Sequence, residues 1–326
     1  MDEQQTAKLH DKRASVVFYE ERYSRGYLEE WPADKKQRIA ELLKSAELPE
    51  SGEALDFGCG NGVLTEVIRR ALPAGWTTTG TDVSAVAIQN ARARYPLCRF
   101  SQADDDHLQG KQFDFLFTHH VIEHVYDLRQ VFAEMSAFLK SQATMLHILP
   151  CGNEGSFEHR ICRLRKDGIN PRLENRFFFE DEGHVRRLKT TELGSLLETG
   201  GFRMTAEYYA NQYHGAIDWI TKSPLEFISR FTDASSAVDE RSARELRHWR
   251  HRLLIGWAGR YPAMVVDTKL QMRRRSLRDW CLLALGLPLY PFTKSVDRYL
   301  TRRGQKEWES RKREANGSEM YLLFKR

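Results

Sequence analysis

The stretch ALDFGCGNGVLTEV, from Ala54 to Val67, decides the fold. A short apolar run enters three glycines in five residues, Gly58, Gly60 and Gly62, and leaves as a segment with helical spacing. Glycine admits left-handed backbone angles and lets a ligand approach bare main chain, while the following helix offers unpaired N–H groups. A second apparent strand, TTTGTDVS at 77–84, ends in an acid, Asp82. This combination favours a nucleotide-like ligand at the carboxyl edge of a sheet. A dinucleotide fingerprint asks for G-x-G-x-x-G. Here the glycines run G-x-G-x-G, and Val63 takes the third place of the dinucleotide pattern. Asp56, inside the strand before the loop, would repel a pyrophosphate and suits a ligand that carries an ammonium group.

Outward from the loop, strand and helix patterns alternate. Strands at 53–58 and 76–82 precede helices over 62–72 and 84–94, and a short strand covers 98–104. A strand at 113–120 precedes a helix over 127–140, and a strand at 143–150 closes the run. Such alternation predicts parallel strands joined by crossover helices. The pattern resumes at Thr191, which reads as an N-cap, with Gly200–Gly201 as the helix stop and 202–213 as a strand. Upstream, Phe18, Tyr19, Tyr23, Tyr27 and Trp31, then Ile39, Leu42 and Leu43, are spaced as two helices that Pro32 separates. Downstream, 217–312 reads as helical, rich in Arg and Trp and punctuated by prolines. The closing SEMYLLFKR at 318–326 is apolar on both strand faces, which places it inside a covered sheet.

The bulk numbers agree with a globular chain. Of 326 residues, 41% are hydrophobic and 29% charged, and the net charge of +5 is too small to argue for nucleic acid. Five scattered cysteines form neither a disulfide framework nor a zinc pattern, so reduced thiols in a cytoplasm are expected. The N-terminal stretch is polar and charged, so no secretory signal is expected. No apolar run reaches the roughly 20 residues of a membrane helix. The nearest, WCLLALGLPLYPF at 280–292, is broken by Pro288 and Pro291.

Four motifs in this order, LDFGCGNG, GTDVS, QADDDHL and FDFLFTHHVIEHV, resemble a class I (Rossmann-like) S-adenosylmethionine-dependent methyltransferase of the small-molecule type. The resemblance covers about 53–210. It implies an α/β fold with a seven-stranded, mostly parallel sheet and an antiparallel last strand, before which this chain's own sequence adds a helical insertion. It implies S-adenosyl-L-methionine as cofactor. Gly58 and Gly60 would then meet the methionine part, with Cys59 between them as small filler lining the site. Asp56 would lie near the ammonium group, and Asp82 would accept hydrogen bonds from the ribose hydroxyls. Val83 would cover an adenine face, Asp104 would meet the adenine amino group with Ala103 beside it, and His119 would lie near the methionine moiety. One of Tyr19, Tyr23 and Tyr27, on an N-terminal helix, would close the sulfonium pocket.

Methyl transfer needs an aligned nucleophile and a water-free site, and a hydroxyl acceptor also needs a base. The candidates are His119 and His120 at the tip of the fourth strand, and His184 in EDEGHVRRL. His124 follows Glu123 in VIEHV and reads as a loop-fixing residue. Glu123 and its neighbouring histidines lie within one turn, and no metal is assigned to them. Pro150 and Asn153 are candidate acceptor contacts, with His159 behind them.

Three parts are expected: an N-terminal helical lid over 1–50, a methyltransferase core over 51–213 plus 316–326, and, as a departure from the family pattern, a helical insertion over 214–315 that binds the acceptor or a surface. Relatives join the last two strands by a short hairpin, so the acceptor is the individual part of this chain. O-methylation of a small molecule, glycan or lipid-linked saccharide is expected. A membrane-surface contact through 241–292 fits the Arg, Trp and apolar residues there, which puts the protein in the cytoplasm or peripherally on the inner membrane surface. An RNA methyltransferase is the alternative enzyme, disfavoured because THHVIEH replaces an Asn/Asp-Pro-Pro-aromatic signature. A non-catalytic cofactor-binding scaffold is the alternative outside enzymes, and no motif residue is visibly lost.

Overall fold

The computed structural model describes residues 12–27, 30–103, 108, 110–272 and 274–326, with side chains from residue 16 onward. Two helices come first, α1 (Lys12–Ser24) and α2 (Ala33–Ser45), and Pro32 stands directly before the second. The alternating run follows as β1 (Ser51–Phe57), α3 (Val63–Ala71), β2 (Gly75–Asp82), α4 (Ala85–Arg94) and β3 (Arg99–Gln102). It continues with β4 (Phe113–His119), α5 (Leu128–Ala137) and β5 (Leu139–Pro150). Next come α6 (Phe157–Arg163) and a short antiparallel pair, β6 (Ile169–Asn170) with β7 (Arg176–Phe177), then α7 (Thr190–Thr199) and β8 (Arg203–Ala210). Helices α8 (His214–Lys222), α9 (Leu225–Phe231), α10 (Glu240–Gln271), α11 (Leu277–Gly286) and α12 (Tyr290–Arg311) lead to β9 (Glu319–Lys325).

The chain divides into two compact units. One comprises Met1–Pro150, Asp181–Glu207 and Met320–Arg326, and the other Cys151–Glu180 and Tyr208–Glu319. The helical unit thus takes in 151–180 as well as the segment between the last two strands. That stretch has no strong periodicity, so its helix α6 and its hairpin were not expected.

The seven-stranded sheet has the order β3-β2-β1-β4-β5-β9-β8. β1 pairs in parallel with β2 and β4, β2 with β3, and β4 with β5. β9 lies between β5 and β8 and runs antiparallel. The chain moves outward from β1 to β3, then crosses back to β4 on the other side of β1. The strand order therefore reverses between β1 and β4, and their carboxyl ends frame the crevice where such sheets bind ligands. The strand sides are filled by Leu55, Phe115, Phe117, Leu146 and Ile148, all buried.

Helix ends follow local chemistry. Ser84 caps α4 by accepting from the Ala87 N–H at 3.1 Å, and Asp127 caps α5 by accepting from Gln130 N–H at 3.0 Å. α7 begins two residues earlier than Thr191 as an N-cap suggests: Lys189 is the N-cap and Thr190 the first helical residue. Glu192 reaches back to accept from the Lys189 N–H at 2.7 Å, so the acid of the first turn does the capping. Its end is as expected: Gly201 adopts φ +81°, and the N–H groups of Gly201 and Phe202 donate to Glu198 and Leu197 at 3.0 and 3.1 Å.

The helical unit has its own core, with Phe157, Ile161, Ile220, Phe231, Leu246 and Trp249 in one cluster. Arg260 of α10 is fully buried and joins α8 to α12. Its guanidinium donates to the Asp218 carbonyl at 3.0 Å, to Thr221 Oγ1 at 2.8 Å and to the Asp218 and Asp297 carboxylates. Two opposite charges and a full set of acceptors make that burial tolerable.

The position of β9 gives a test. Deleting residues 318–326 strips a central strand and leaves the ladders of β5 and β8 open, at roughly 1–3 kcal/mol per unpaired buried group. The truncated chain is expected to lose cooperative thermal unfolding and to aggregate. Circular dichroism and size-exclusion chromatography check this, and a truncated chain that melts like the full one would contradict the topology.

Candidate functional site

The first wall of the site is the glycine loop. Gly58 and Gly60 have φ of +79° and +51°, a region that L side chains rarely enter. A Cβ on Gly58 would stand 2.4 Å from Val121, and one on Gly60 2.7 Å from the Tyr23 hydroxyl. The loop is held by Thr81, whose carbonyl accepts from the Gly58 and Cys59 N–H groups at 2.8 Å each. Asp82 Oδ2 accepts from Gly60 N–H at 2.8 Å and Oδ1 from Ser84 N–H at 2.9 Å. Burial pushes the Asp82 carboxyl up, while these main-chain bonds pull it back. Each oxygen keeps acceptor capacity toward the cavity, because a carboxylate has about four lone-pair sites. Asp56 is almost fully buried and accepts from Thr65 Oγ1 at 2.6 Å. Burial, with Asp82 nearby, pushes its carboxyl up to about 7. The Cys59 thiol is pushed up as well, by burial and then by the two aspartates, which makes it an inert filler.

The second wall comes from the N-terminal helices. Tyr23 lies against Gly60, and Asn61 Nδ2 donates to the Tyr27 carbonyl at 2.8 Å. Tyr19 Oη meets His124 Nδ1 at 2.9 Å. Arg22 makes a two-pronged bond to Asp181, at 2.9 and 2.5 Å, and its guanidinium covers the Tyr27 ring at 4.2 Å from the centroid. This pair ties α1 to the turn that carries His184.

The third wall is a cluster of imidazoles around one acid. His120 has φ +53° and sits just past the end of β4. Its Nδ1 lies 2.6 Å from Glu123 Oε1, and its ring is stacked on Trp31. Glu123 is 1% exposed. Burial alone would raise its carboxyl, but His120, then His184 and His124, more than offset this and hold it at about 2. Glu123 Oε2 has no hydrogen-bond partner among the described residues. His184 Nε2 is 3.8 Å from Glu123 Oε1, and burial drives its imidazole down to about 3. The His184 and His124 rings meet edge to face at 4.6 Å. His119 packs against Trp31 at 4.5 Å, with Lys35 Nζ 3.3 Å from its Nε2.

These walls enclose a cavity of about 810 Å³ within the sheet-bearing unit. It is lined by Asp56, Gly58, Cys59, Gly60, Asp82, Val83 and Ala103 from the β1 and β2 edges. Tyr19, His119, His120 and His184 line it as well, so nearly all residues singled out in the sequence come together. Asp104 lies outside the described residues. Asn153 belongs to the helical unit, where its amide donates to the Ala315 carbonyl at 3.0 Å, and His159 rests there against Phe177. Sequence reasoning missed Trp31, Lys35 and the Arg22–Asp181 pair. It also underrated Glu123, whose only signal was an acid beside a run of histidines.

A profile of methyltransferase domains matches residues 25–207, more than half of the chain. The chain belongs to this methyltransferase domain family. It resembles trans-aconitate 2-methyltransferase from Variovorax paradoxus, at 30% identity over 40% of this chain and 51% of that protein. The enzyme of the same name from Escherichia fergusonii is 29% identical over 36% of this chain and 47% of its own. The chain thus spans about half the length of the curated relatives it matches. Among solved structures, magnesium protoporphyrin IX methyltransferase from Synechocystis with bound SAH aligns at a TM-score of 0.44 and 16% identity, over 60% of this chain and 92% of that one.

S-adenosylmethionine is the cofactor of this family, and the cavity fits it. The glycine loop is a cradle that any Cβ would fill, two buried carboxylates face it, and its volume lies in the range of small-molecule sites.

The tie between α1 and the His184 turn is testable by itself. Asp181→Asn removes the charge of the two-pronged bond. Hydrogen exchange over 16–24 is expected to quicken at least tenfold while β1 and β4 keep their protection. Unchanged exchange would show that the aromatic contacts alone hold the helix.

Proposed function

We propose that this protein transfers a methyl group from S-adenosylmethionine to an oxygen of a small molecule, a glycan or a lipid-linked saccharide. The observation that carries the reading is the pair of Glu123 and His120 at the cavity wall, 2.6 Å apart. A buried carboxylate that accepts from Nδ1–H fixes the tautomer, and the lone pair then resides on Nε2. His120 thereby becomes a base for an acceptor hydroxyl, and Glu123 steadies the imidazolium that forms. Glu123 acts as a positioning residue. His184 is the weaker base, because burial leaves its imidazole a poor proton acceptor at neutral pH. His119, between Trp31 and Lys35, is assigned to the cofactor side.

Bound S-adenosylmethionine supplies an electrophilic methyl group on a sulfonium. Gly58 and Gly60 would let the main chain approach its methionine part, and Asp56 would face its ammonium group. Asp82 would receive the ribose hydroxyls, Val83 and Ala103 would border the adenine, and Tyr19, Tyr23 and Trp31 would exclude water from the sulfonium side. Asp104 is assigned to the adenine amino group from the motif alone.

A relative named for trans-aconitate points to a second acceptor class, a carboxylate. An ionised carboxylate needs no base. A polycarboxylate also calls for several cations, whereas among the described residues lining the cavity there is neither lysine nor arginine, and Lys35, 3.3 Å from the lining His119, is a single one. That composition supports a neutral hydroxyl. A lipid-linked acceptor would bring the enzyme to a membrane surface.

Three measurements check this reading. Asp82→Ala is expected to weaken cofactor binding by roughly 2–4 kcal/mol in calorimetry, since charge-assisted bonds are worth roughly 1.5–3 kcal/mol each. His120→Ala is expected to lower kcat by about 10²–10⁴ with little change in cofactor affinity, and Glu123→Gln by less. Full turnover in both variants would point to a carboxylate acceptor.

The third measurement is a pH dependence. Asp56 titrates near 7 when no cation faces it, and an ammonium group favours its ionised form. Cofactor affinity is therefore expected to rise between pH 6 and 8 and then level off. Below this window, binding has to displace the Asp56 proton, so calorimetry in buffers of different ionisation enthalpy should report proton release. Asp56→Asn is expected to flatten the profile, and a flat profile in the unaltered protein would remove the ammonium assignment.

A further inference from the structure

The helical unit carries an apolar surface that its core does not use. Helix α11 turns one side inward, with Leu283 and Gly286 buried and the Gly286 backbone close against Val266. Its other side is also apolar. Leu277, Trp280 and Leu285 are 82%, 57% and 73% exposed, and the chain continues through exposed Leu287, Leu289 and Phe292. The spacing of 277, 280 and 284–285 keeps the outward stripe on one face. Short helices of soluble units normally show polar residues there, and an apolar patch of this length marks a contact surface.

The charges around it are of one sign. Between 268 and 296, Asp279 is the one acid in the sequence. Its carboxylate is turned inward, accepting from the Ser276 N–H at 2.8 Å and pairing with Lys269 at 2.6 Å. Arg274 and Arg278 are exposed at the edge of the stripe, and the Arg275 guanidinium lies 5.5 Å over the Trp280 ring. No helix among the described residues is long and apolar enough to cross a membrane, so the stripe is not part of a span.

We infer that the surface formed by 277–292 docks on an anionic lipid bilayer, with leucines and Phe292 entering the interface and the arginines on the lipid headgroups. Leucine side chains next to a tryptophan and a basic edge match the layers of a membrane surface. Two copies packed face to face would oppose the same arginines in a twofold contact, which disfavours self-association. Single-stranded RNA stacks on aromatic planes, whereas most of this stripe is aliphatic. Within α10, Trp249 is core and Arg260 is buried, so these two residues take no part in the contact. The inference is independent of the methyl-transfer reading, since it rests on the helical unit alone.

Vesicle flotation of the full chain tests it, with phosphatidylcholine vesicles with and without phosphatidylglycerol. Binding is expected on the anionic vesicles, weakened by salt, and at least tenfold poorer on neutral ones. Leu285→Glu with Phe292→Glu, and separately Arg274→Glu with Arg278→Glu, should each reduce vesicle binding at least tenfold while the melting temperature and cofactor affinity stay unchanged. Trp280 fluorescence, read as the difference from Trp280→Phe, should shift to the blue on binding. Failure to float with anionic vesicles, or equal flotation of the Leu285→Glu, Phe292→Glu variant, overturns the inference. So does a dimer in sedimentation velocity that this variant dissolves, or RNA binding that it abolishes in place of vesicle binding.

Discussion

The site depends on one carboxylate that serves two strands. Asp82 ends β2, yet its Oδ2 holds the Gly60 N–H of the loop after β1 at 2.8 Å. A hydrogen bond to a charged acceptor is roughly twice as strong as a neutral one. It is needed here because Gly58 and Gly60 both sit in the left-handed region, where glycine has no side chain to hold the turn. Thr81 fixes the beginning of the loop by its carbonyl, and Asp82 fixes the middle. The adjacent parallel strands thus form a preset cradle, and a ligand finds acceptors that need not reorganise. The same constraint explains why Asp56, one strand over, is poorly solvated and titrates high. Burial first, and then the nearby Asp82, disfavour a second charge on Asp56, which a cationic ligand group would offset.

Glu123 is the second buried charge, and it is balanced differently. Burial would neutralise it, but three imidazoles face it and keep it ionised. Main chain reinforces the arrangement, since the Glu123 carbonyl accepts from the Val185 N–H at 2.9 Å and so draws the His184 turn toward β4. His120 pays for its place with a left-handed backbone, of order 1–3 kcal/mol for a residue with a side chain. The bond to Glu123 and the stack on Trp31 are what retain it. A strained residue held by a hydrogen bond to a buried carboxylate, at the point where the strand order reverses, is the arrangement expected when position matters more than stability.

The legible parts of this fold are those written in neighbouring residues. Alternating strands and helices, the glycine loop and Asp82 are encoded within a few residues of where they act. His119 and His120 are readable because β4 ends beside β1. β9 is readable because Met320 to Phe324 are apolar on both faces and only a covered strand accommodates that. The rest depends on partners far apart in the chain. Arg22 and Asp181 are 159 residues apart, and Lys35 and His119 are 84 apart, and neither pair leaves a local pattern. Thr191 looked like a cap because threonine is a good one, but Glu192 supplied the bond from the opposite side. Tryptophans among arginines carried two meanings at once. Trp249 and Trp308 pack inward, while Trp280 faces out. The distinction depends on which face of each helix its own unit covers, and composition does not report that.

The helical unit shows how a long excursion between two paired strands is made harmless. An unstructured loop of about a hundred residues would cost roughly 4 kcal/mol in closure entropy, growing only slowly with length. What matters is therefore the base of the excursion. Ser318 N–H donates to the Ala210 carbonyl at 3.0 Å, and Tyr209 N–H to the Lys312 carbonyl at 2.8 Å, so departure and return are joined directly. Glu307 of α12 accepts from the N–H groups of His214 and Gly215 at 2.7 and 3.0 Å, where charge also suits the start of α8. Arg260 then ties α8, α10 and α12 together above that base. Helix α10, with 32 residues, carries the chain about 48 Å along its length. Beyond Arg260 its terminal turns and α11 answer to no strand register. Changes there leave the closing bonds untouched, and an apolar, basic face can arise at that end without disturbing the sheet whose strands the excursion interrupts.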